Sequence, residues 1–276
     1  MATLERIVRF AVNDPSFETA AGPNGFAGSP AMRGLGRHYE VTVRCAGQID
    51  ERTGYLIDIK TIDKAVRATV MPRIVDACHR DASIEPAELM PALVAALSEA
   101  IAASNRGGSG GASLESLEWK LTPTYGVAMH VADRTVAMLR QRFDFAAAHR
   151  LHAPRLSDEE NRRAFGKCNN PSGHGHNYQF EPLVAVPLPK DGGQADGFSL
   201  VQLEEIVQRE LIEPFDHKHL NLDTAEFATA GGAIPSVENI ARVFFERLGP
   251  AIAAHGATLR AITVWETDRT SCTYPG

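Results

Sequence analysis

The chain has 276 residues, 44% of them hydrophobic and 22% charged, and a formal net charge of −6 at pH 7. This composition is ordinary for a globular protein, and the acidic balance argues against a protein that coats nucleic acid. The four scattered cysteines argue against a disulfide scaffold. The opening residues MATLERIVRF lack the apolar run of a signal peptide. The sequence also has no run of about 18 apolar residues, the length that a membrane-spanning helix needs. We therefore expect a cytoplasmic protein with one large domain or two of ordinary size.

Hydrophobic periodicity in the first half predicts two strands, two helices and two short closing strands. The expected elements are strands at Leu4–Val12 and Gly36–Val43, a helix with apolar positions 59, 62, 66, 70 and 74, a helix at Pro86–Ala103, and a strand at Leu114–Leu121. The Gly- and Ser-rich segment 104–111 is typical of a loop or a boundary.

The second half repeats this order of elements. We expect strands at Val136–Ala148 and Gly175–Phe180, a helix from Ser199 with apolar positions 200, 203, 207 and 211, a helix at Ser236–Ala254, and strands at Leu259–Glu266 and Ser271–Tyr274. The order predicts an α+β protein of two ββααββ units, residues 1–130 and 131–276, each with helices on one face of a four-stranded antiparallel sheet. A coincidence of similar element lengths is the alternative.

Paired histidines in the second half predict a metal site. His174 and His176 begin a predicted strand, where residues i and i+2 project to the same face. His149, at the end of the preceding strand, is a candidate third ligand, and three ligands leave zinc an open position for catalysis. His217 and His219 have the same spacing and form a rival pair. Hydrogen bonds from the histidines to nearby loops are the structural alternative.

Four further side chains are candidates for chemistry. Cys168 lies in a Gly/Asn/Pro loop beside cationic residues, where a lowered pKa would make it a base or nucleophile; a fourth zinc ligand and a buried apolar thiol are its alternatives. Asp216 precedes His217 and can fix its tautomer. Glu266 ends a strand, and Glu238 begins a helix, where a carboxylate usually serves the helix dipole. Spacing alone predicts a zinc enzyme with a cysteine and an Asp–His pair.

Five segments taken together resemble the 6-pyruvoyl-tetrahydropterin synthase family, which includes the 6-carboxy-tetrahydropterin synthase of queuosine biosynthesis. They are Phe145–Leu151, Cys168–Tyr178, Asp216–Lys218, Pro235–Asn239 and Glu266–Asp268, and the resemblance covers residues 140–276. It implies the T-fold, a ββααββ unit that assembles into barrels. It also implies roles for nine residues: zinc ligands His149, His174 and His176; catalytic Cys168, Asp216 and His217; a pterin anchor, Glu266; and pocket residues Ser236 and Glu238.

The resemblance implies a zinc-dependent lyase that converts 7,8-dihydroneopterin triphosphate to 6-pyruvoyl-tetrahydropterin with loss of triphosphate. Zinc would acidify carbon-bound protons of the substrate as a Lewis acid. Arg150, Lys167 and Lys218 are candidates for phosphate contacts. The alternatives are 6-carboxy-tetrahydropterin synthase activity on the same substrate and a non-catalytic pterin-binding protein.

The first half departs from the family pattern. Leu35 and Arg37 stand where the second half has His174 and His176, and Asp14 falls near the place of His149. An apolar side chain and a cation cannot replace imidazole ligands. We expect a metal-free, inactive T-fold copy kept for assembly. Because sites of this family form where subunits meet, the resemblance implies a homo-oligomer, such as a trimer of tandem chains, or a uricase-like arrangement.

Overall fold

The computed structural model describes residues 1–17, 22, 24–81, 83–105, 111–188 and 198–276. Residues 106–110 of the predicted loop 104–111 lie outside this description. The chain divides into two compact units. The first is Met1–Leu139 with Val186–Ala195, and the second is Arg140–Ala185 with Asp196–Gly276.

The first unit follows the order ββααββ. Its strands are β1 (Ala2–Val12), β2 (Arg37–Gly47), β3 (Ser113–Lys120) and β4 (Tyr125–His130), and its helices are α1 (Ile59–Arg80) and α2 (Pro86–Asn105). The four strands are antiparallel neighbours in chain order. A further strand, β5 (Asp133–Gln141), follows β4. Strands and helices therefore have the predicted order, and β4 supplies the fourth strand, whose residues were not predicted from the sequence.

Helix α2 supplies much of the core of the first unit. Its fully buried side chains recur at helical spacing and are Met90, Leu93, Val94, Leu97 and Ile101. In the described part of the chain, α2 is the one helix whose length and composition would suffice to cross a membrane, over Pro86–Ser104. A core helix meets the same criteria, and the buried stripe of α2 is that of a core helix.

The second unit is also an antiparallel sheet with helices. Its strands are β6 (Phe143–His149), β7 (His174–Pro187), β8 (Lys218–His219), β9 (Thr258–Thr267) and β10 (Thr270–Tyr274). Strands β6, β7, β9 and β10 are antiparallel neighbours, and the two-residue β8 runs parallel to β6 on its free side. The α+β class predicted from the sequence is confirmed.

The helices of the second unit vary in length and regularity. They are α3 (Asp158–Phe165), which leads into a 3₁₀ turn (Gly166–Asn169), α4 (Leu200–Val207), which passes through a π-helical turn (Gln208–Ile212) into α5 (Glu213–Phe215), α6 (Leu220–Asp223) and α7 (Val237–Ala253). Ser157 and Ser199 form capping boxes at the starts of α3 and α4.

The predicted single strand Val136–Ala148 is wrong, because β5 ends before Arg142 and β6 begins after it. The guanidinium of Arg142 lies 4.6 Å from the centre of the Trp265 ring, and its Nε lies 3.5 Å from a carboxylate oxygen of Glu181. This residue is held by side-chain contacts to β9 and β7, and the strand is interrupted there.

Aromatic packing holds α7 against the sheet of the second unit. The ring centre of Phe244, on α7, lies 5.3 Å from that of Phe145 on β6 and 5.4 Å from that of Phe180 on β7. Such aromatic pairs contribute about 0.5–1.5 kcal/mol each beyond the burial of their area. The packing fixes the start of α7, where Pro235 and Ser236 lie, near the end of β6.

Candidate active site

Three imidazoles converge on one face of the β6–β7 pair. The register places His149 opposite His174 and Ala147 opposite His176, and residues directly opposite in an antiparallel pair share a face. One ligand atom from each of the three histidines lies within 4.8 Å of the other two. The Nε2 atoms of His149 and His174 are 3.2 Å apart. The structure thus brings together the three residues that the sequence singled out as ligands.

His149 is held in the form that binds metals. It is fully buried, and its Nδ1 lies 2.7 Å from the carbonyl oxygen of Pro235. Because a carbonyl only accepts, Nδ1 carries the proton and Nε2 keeps its lone pair. Burial and, less strongly, the neighbouring imidazoles together lower the pKa of His149 to about 4, although the hydrogen bond to the Pro235 carbonyl acts to raise it. At neutral pH the ring is therefore neutral, with Nε2 facing the cluster.

The cluster fits a divalent metal of the kind that imidazole prefers. The Nε2 atom of His176 is buried and has no hydrogen-bond partner in the described part of the chain, whereas buried polar atoms are normally paired. Two nitrogens bound tetrahedrally to zinc at about 2.0–2.1 Å are roughly 3.3 Å apart, close to the 3.2 Å between His149 and His174. A metal would satisfy nitrogens that otherwise face one another.

Glu266 borders the cluster from β9. Its Oε1 lies 3.6 Å from Nε2 of His149 and 3.7 Å from Nε2 of His176. The side chain is only 19% exposed, so the carboxylate is a partly desolvated acceptor beside the metal position. A planar carboxylate there can accept two parallel N–H bonds from a ligand.

Cys168 lies in the 3₁₀ turn after α3, half-buried, in a cleft that His174 also lines. Burial raises the pKa of its thiol, and the carboxylate of Glu266 raises it further. The expected lowering of the Cys168 pKa is therefore wrong for this geometry, because burial and a nearby anion both disfavour the thiolate. Cys168 is also not part of the metal-capable cluster among the described residues.

Asp216 and His217 form a hydrogen-bonded pair at the edge of the sheet. Asp216 Oδ2 lies 2.7 Å from Nδ1 of His217, and Asp216 Oδ1 accepts the Ala146 N–H at 2.8 Å. Burial alone would raise the pKa of Asp216, but the hydrogen bonds from Ala146 and His217 outweigh it and hold that pKa below its usual value. His217 has a φ of 56°, which is uncommon outside glycine.

The structure does not unite Cys168 with the Asp216–His217 pair within one chain. The His217 side chain is 83% exposed and lines a cleft with His176, whereas Cys168 lines the cleft with His174. Among the contacts of the described residues, no hydrogen bond or ion pair joins Cys168 to Asp216 or His217. Within one chain the imidazole of His217 is therefore exposed, whereas Asp216 is half-buried.

The rival pair His217 and His219 takes no part in the three-imidazole cluster found among the described residues. The His219 ring packs beside Gly173, where an added Cβ would come within 2.6 Å of its Nε2 and 3.0 Å of the His149 carbonyl oxygen. Gly173 has a φ of +71°, so both its conformation and its surroundings require glycine. Its neighbour His174 depends on that turn.

Ser236 and Glu238 lie at the start of α7. Ser236 caps the helix by accepting the Asn239 N–H, and Glu238 is exposed in the first turn. Burial raises the pKa of Cys272 on β10, and the carboxylate of Glu238 raises it further. In the described structure neither side chain contacts the imidazoles, although the carbonyl of Pro235, just before Ser236, does.

Buried amides that sequence reasoning missed hold the segment around Cys168. Asn161 is fully buried; it accepts the Ala153 N–H and donates to backbone carbonyls of the preceding loop. Asn169 donates to the Leu151 carbonyl, and Asn221 bonds both the N–H and the carbonyl of Arg150. Apart from His152, which contacts Asn169, the partners of these amides are backbone groups, which leave no pattern in a sequence.

The first unit has the same strand register without the imidazoles. Phe10 pairs with Tyr39 and Val12 with Arg37 across β1 and β2. In the second unit Phe145 pairs with Tyr178 and Ala147 with His176. If the Phe–Tyr pairs are aligned, Arg37 takes the place of His176. A cleft lined by Asp14, Leu35 and Arg37 among others lies at these strand ends.

Comparison with known proteins gives one consistent family. The family model for 6-pyruvoyl tetrahydropterin synthase matches residues 138–276. The 6-pyruvoyl tetrahydrobiopterin synthase of Homo sapiens is 36% identical over 143 residues, which are 52% of this chain and 94% of that protein. The protein of the same name from Drosophila melanogaster is 34% identical over 146 residues, 53% of this chain and 83% of its own.

A solved structure of Caenorhabditis elegans 6-pyruvoyl tetrahydropterin synthase is 33% identical, covers 51% of this chain and 96% of its own, and has a TM-score of 0.45. The matched half contains all three clustered imidazoles, Cys168, the Asp216–His217 pair and Glu266. Through residues 138–276, the chain belongs to the 6-pyruvoyl tetrahydropterin synthase family.

Proposed function

We propose that the second unit is a zinc-dependent synthase that converts 7,8-dihydroneopterin triphosphate to 6-pyruvoyl-tetrahydropterin with elimination of triphosphate. Family membership makes the chain a lyase that acts on a pterin triphosphate. The observation that carries the proposal is the cluster of three imidazoles, with Glu266 beside it and Cys168 in the adjoining cleft.

His149, His174 and His176 would hold the zinc. When bound, the metal supplies Lewis acidity toward oxygen atoms of the substrate side chain and so acidifies the adjacent C–H bonds. The hydrogen bond from His149 Nδ1 to the Pro235 carbonyl fixes the tautomer and the ring orientation that this requires. We propose zinc, rather than another metal that imidazole binds, as the ion at this site.

The proton transfers fall to Cys168 and to the Asp216–His217 pair. Cys168, as thiolate, would accept a carbon-bound proton of the substrate side chain; because burial and Glu266 raise the pKa of its thiol, the thiolate is harder to form but is a stronger base. His217 Nε2 would exchange a proton with the substrate while its Nδ1–H stays bonded to Asp216. Glu266 would accept N–H bonds from the pterin ring, and Ser236 and Glu238 would line the pocket.

A homo-oligomer completes the site in this proposal. Within one chain, Cys168 and the exposed His217 line different clefts. In the family that the chain resembles, sites form where subunits meet, so a neighbouring copy would supply the missing side chains. A trimer of tandem chains in a barrel is the arrangement we propose.

Residues 1–130 would be a degenerate copy of the catalytic domain, residues 131–276. The shared order of elements and the shared Phe–Tyr register support this duplication. Arg37 and Leu35 provide no metal-binding nitrogen in place of the histidines, so this copy would serve assembly alone. Metal analysis should give about one zinc per chain, whereas about two would contradict an inactive first unit.

The decisive experiment is incubation of zinc-loaded protein with dihydroneopterin triphosphate, with products identified by mass. A 6-pyruvoyl product with released triphosphate is the expected result. A 6-carboxy product with acetaldehyde would make the chain a 6-carboxy-tetrahydropterin synthase instead. Binding without conversion would make it a pterin-binding protein. Cys168→Ala with full turnover would remove the thiol from the mechanism.

A further inference from the structure

A large cleft in the second unit includes Cys168 and His174 in its lining. Its volume is about 830 Å³, which exceeds what a thiol and an imidazole need for their chemistry. The residues that line it are Arg150, Asp158, Arg162, Gly166, Lys167, Cys168, Asn169, Asn170, Pro171 and His174. The cleft lies wholly within the second unit.

The lining of this cleft is cationic in an acidic protein. Three cations, Arg150, Arg162 and Lys167, face one carboxylate, Asp158, so its formal charge is 3 − 1 = +2, whereas the whole chain carries −6. None of the three cations forms an ion pair with a residue in the described ranges. Arg150 uses Nε to donate to the Asn169 carbonyl at 3.2 Å, which leaves its two terminal nitrogens available.

We infer that this cleft is a polyphosphate subsite in which Arg150, Arg162 and Lys167 bind the triphosphate arm of the substrate. A guanidinium presents paired N–H donors that match phosphate oxygens, and lysine adds a point charge. The inference rests on the proposed function, because it assigns one part of that substrate to one part of the site. The reacting carbons would then lie between the anchored phosphates and Glu266.

Lys218, which the sequence offered as a phosphate contact, lies elsewhere. It lines the cleft of His176 and His217 on the sheet edge and not the cleft of Cys168. Arg162, which sequence reasoning passed over, takes its place in the subsite. Its neighbour Arg163 is also exposed on α3 but does not line the cleft, so the helix itself provides a matched control.

The test is titration of the full-length, zinc-loaded protein with inorganic triphosphate by calorimetry, comparing Arg162→Ala with Arg163→Ala. Loss of one charge-assisted contact should weaken binding about tenfold in Arg162→Ala, and Arg163→Ala should stay within about twofold of the unchanged protein. Lys167→Ala should behave like Arg162→Ala. Zinc content is measured after each titration, because triphosphate chelates divalent cations.

Equal affinities in the Arg162 and Arg163 variants, with both folded by circular dichroism, would overturn the subsite. The same holds if Arg162→Ala leaves the KM for the pterin triphosphate unchanged while turnover is normal. If no variant or parent turns over the substrate but triphosphate affinity still depends on Arg162, the subsite stands and the proposed synthase activity fails. The two failures are thereby separated.

Discussion

Asn161 offers a direct measure of how firmly the fold holds the segment that carries Cys168. The side chain is fully buried. Its Oδ1 accepts the Ala153 N–H at 2.7 Å, and its Nδ2 lies 3.0 Å from the carbonyl oxygens of Ala153 and Leu156 and 3.1 Å from that of Ser157. With two protons on Nδ2, these contacts amount to three full hydrogen bonds.

Asn161→Ala should therefore lower the free energy of unfolding of the second unit by about 1.5–4.5 kcal/mol, at about 0.5–1.5 kcal/mol for each of three bonds. The loss includes the cost of leaving the Ala153 amide and nearby carbonyls buried and unpaired. Because Asn161 does not touch the imidazoles, zinc affinity should fall less than stability does. Freed from its anchor, Cys168 should react faster with an alkylating reagent.

The measurement is urea unfolding followed by Trp265 fluorescence in a Trp119→Phe background, since the chain has two tryptophans and Trp265 lies in the second unit. Asn170→Ala is the matched control, because Asn170 is an exposed amide of the same segment. A loss below about 1 kcal/mol, or one equal to that of the control, would refute the hydrogen-bond reasoning.

Three further predictions concern the site itself. Gly173→Ala should reduce zinc affinity by at least about tenfold in a metal-competition assay, because its Cβ would come within 2.6 Å of His219 and 3.0 Å of the His149 carbonyl. Gly175→Ala should be tolerated, because its Cβ would meet only the Ala147 oxygen at 3.7 Å; equal effects of the two substitutions would contradict the steric argument. In metal-free protein the rate of Cys168 alkylation should rise only at pH values above those at which an ordinary thiol ionises, because burial and Glu266 raise the pKa of the Cys168 thiol. Glu266→Gln should shift this pH profile to lower pH, and an unshifted profile would show that the carboxylate is not a cause of the raised pKa. The pKa of Asp216 is lowered in the folded protein, so its contribution to stability is complete above the pKa of an unfolded aspartate and is lost as the pH falls through the folded pKa. Asp216→Asn should therefore make the unfolding midpoint less dependent on pH in that acid range. An unchanged pH dependence there would show that the hydrogen bonds to Ala146 and His217 do not stabilise the fold.

Periodicity and spacing predicted the features that depend on local sequence. The i, i+2 spacing of His174 and His176 requires a shared face once a strand forms, and their alignment with His149 follows from the antiparallel register. The order of strands and helices was likewise readable from apolar periods. The break at Arg142 was not, since it is accompanied by contacts to Trp265 and Glu181, on other strands.

The environment of each reactive group could not be predicted from spacing. Cys168 has cationic neighbours in the sequence, which predicted a lowered pKa. The pKa of its thiol is instead raised, first by burial and then by Glu266, which lies far along the chain. The backbone carbonyl of Pro235 as partner of His149 has no side-chain signature. His217 has a positive φ, a backbone conformation usual for glycine. The hydrogen bond from its N–H to the Ala146 carbonyl supports this conformation, which the local sequence does not favour.

The hydrogen bond between His149 and Pro235 couples metal binding thermodynamically to the packing of helix α7. One ring nitrogen of His149 faces the metal position, and the other is bonded to the residue before the N-cap of α7. Any change that loosens α7, such as Phe244→Leu in its aromatic contacts, must then weaken metal affinity without altering a ligand. Reciprocally, zinc at a hundred times its dissociation constant adds about 2.7 kcal/mol to the stability of the unit. Loss of the metal would therefore remove its Lewis acidity and, through His149 and Pro235, also weaken the attachment of the start of α7.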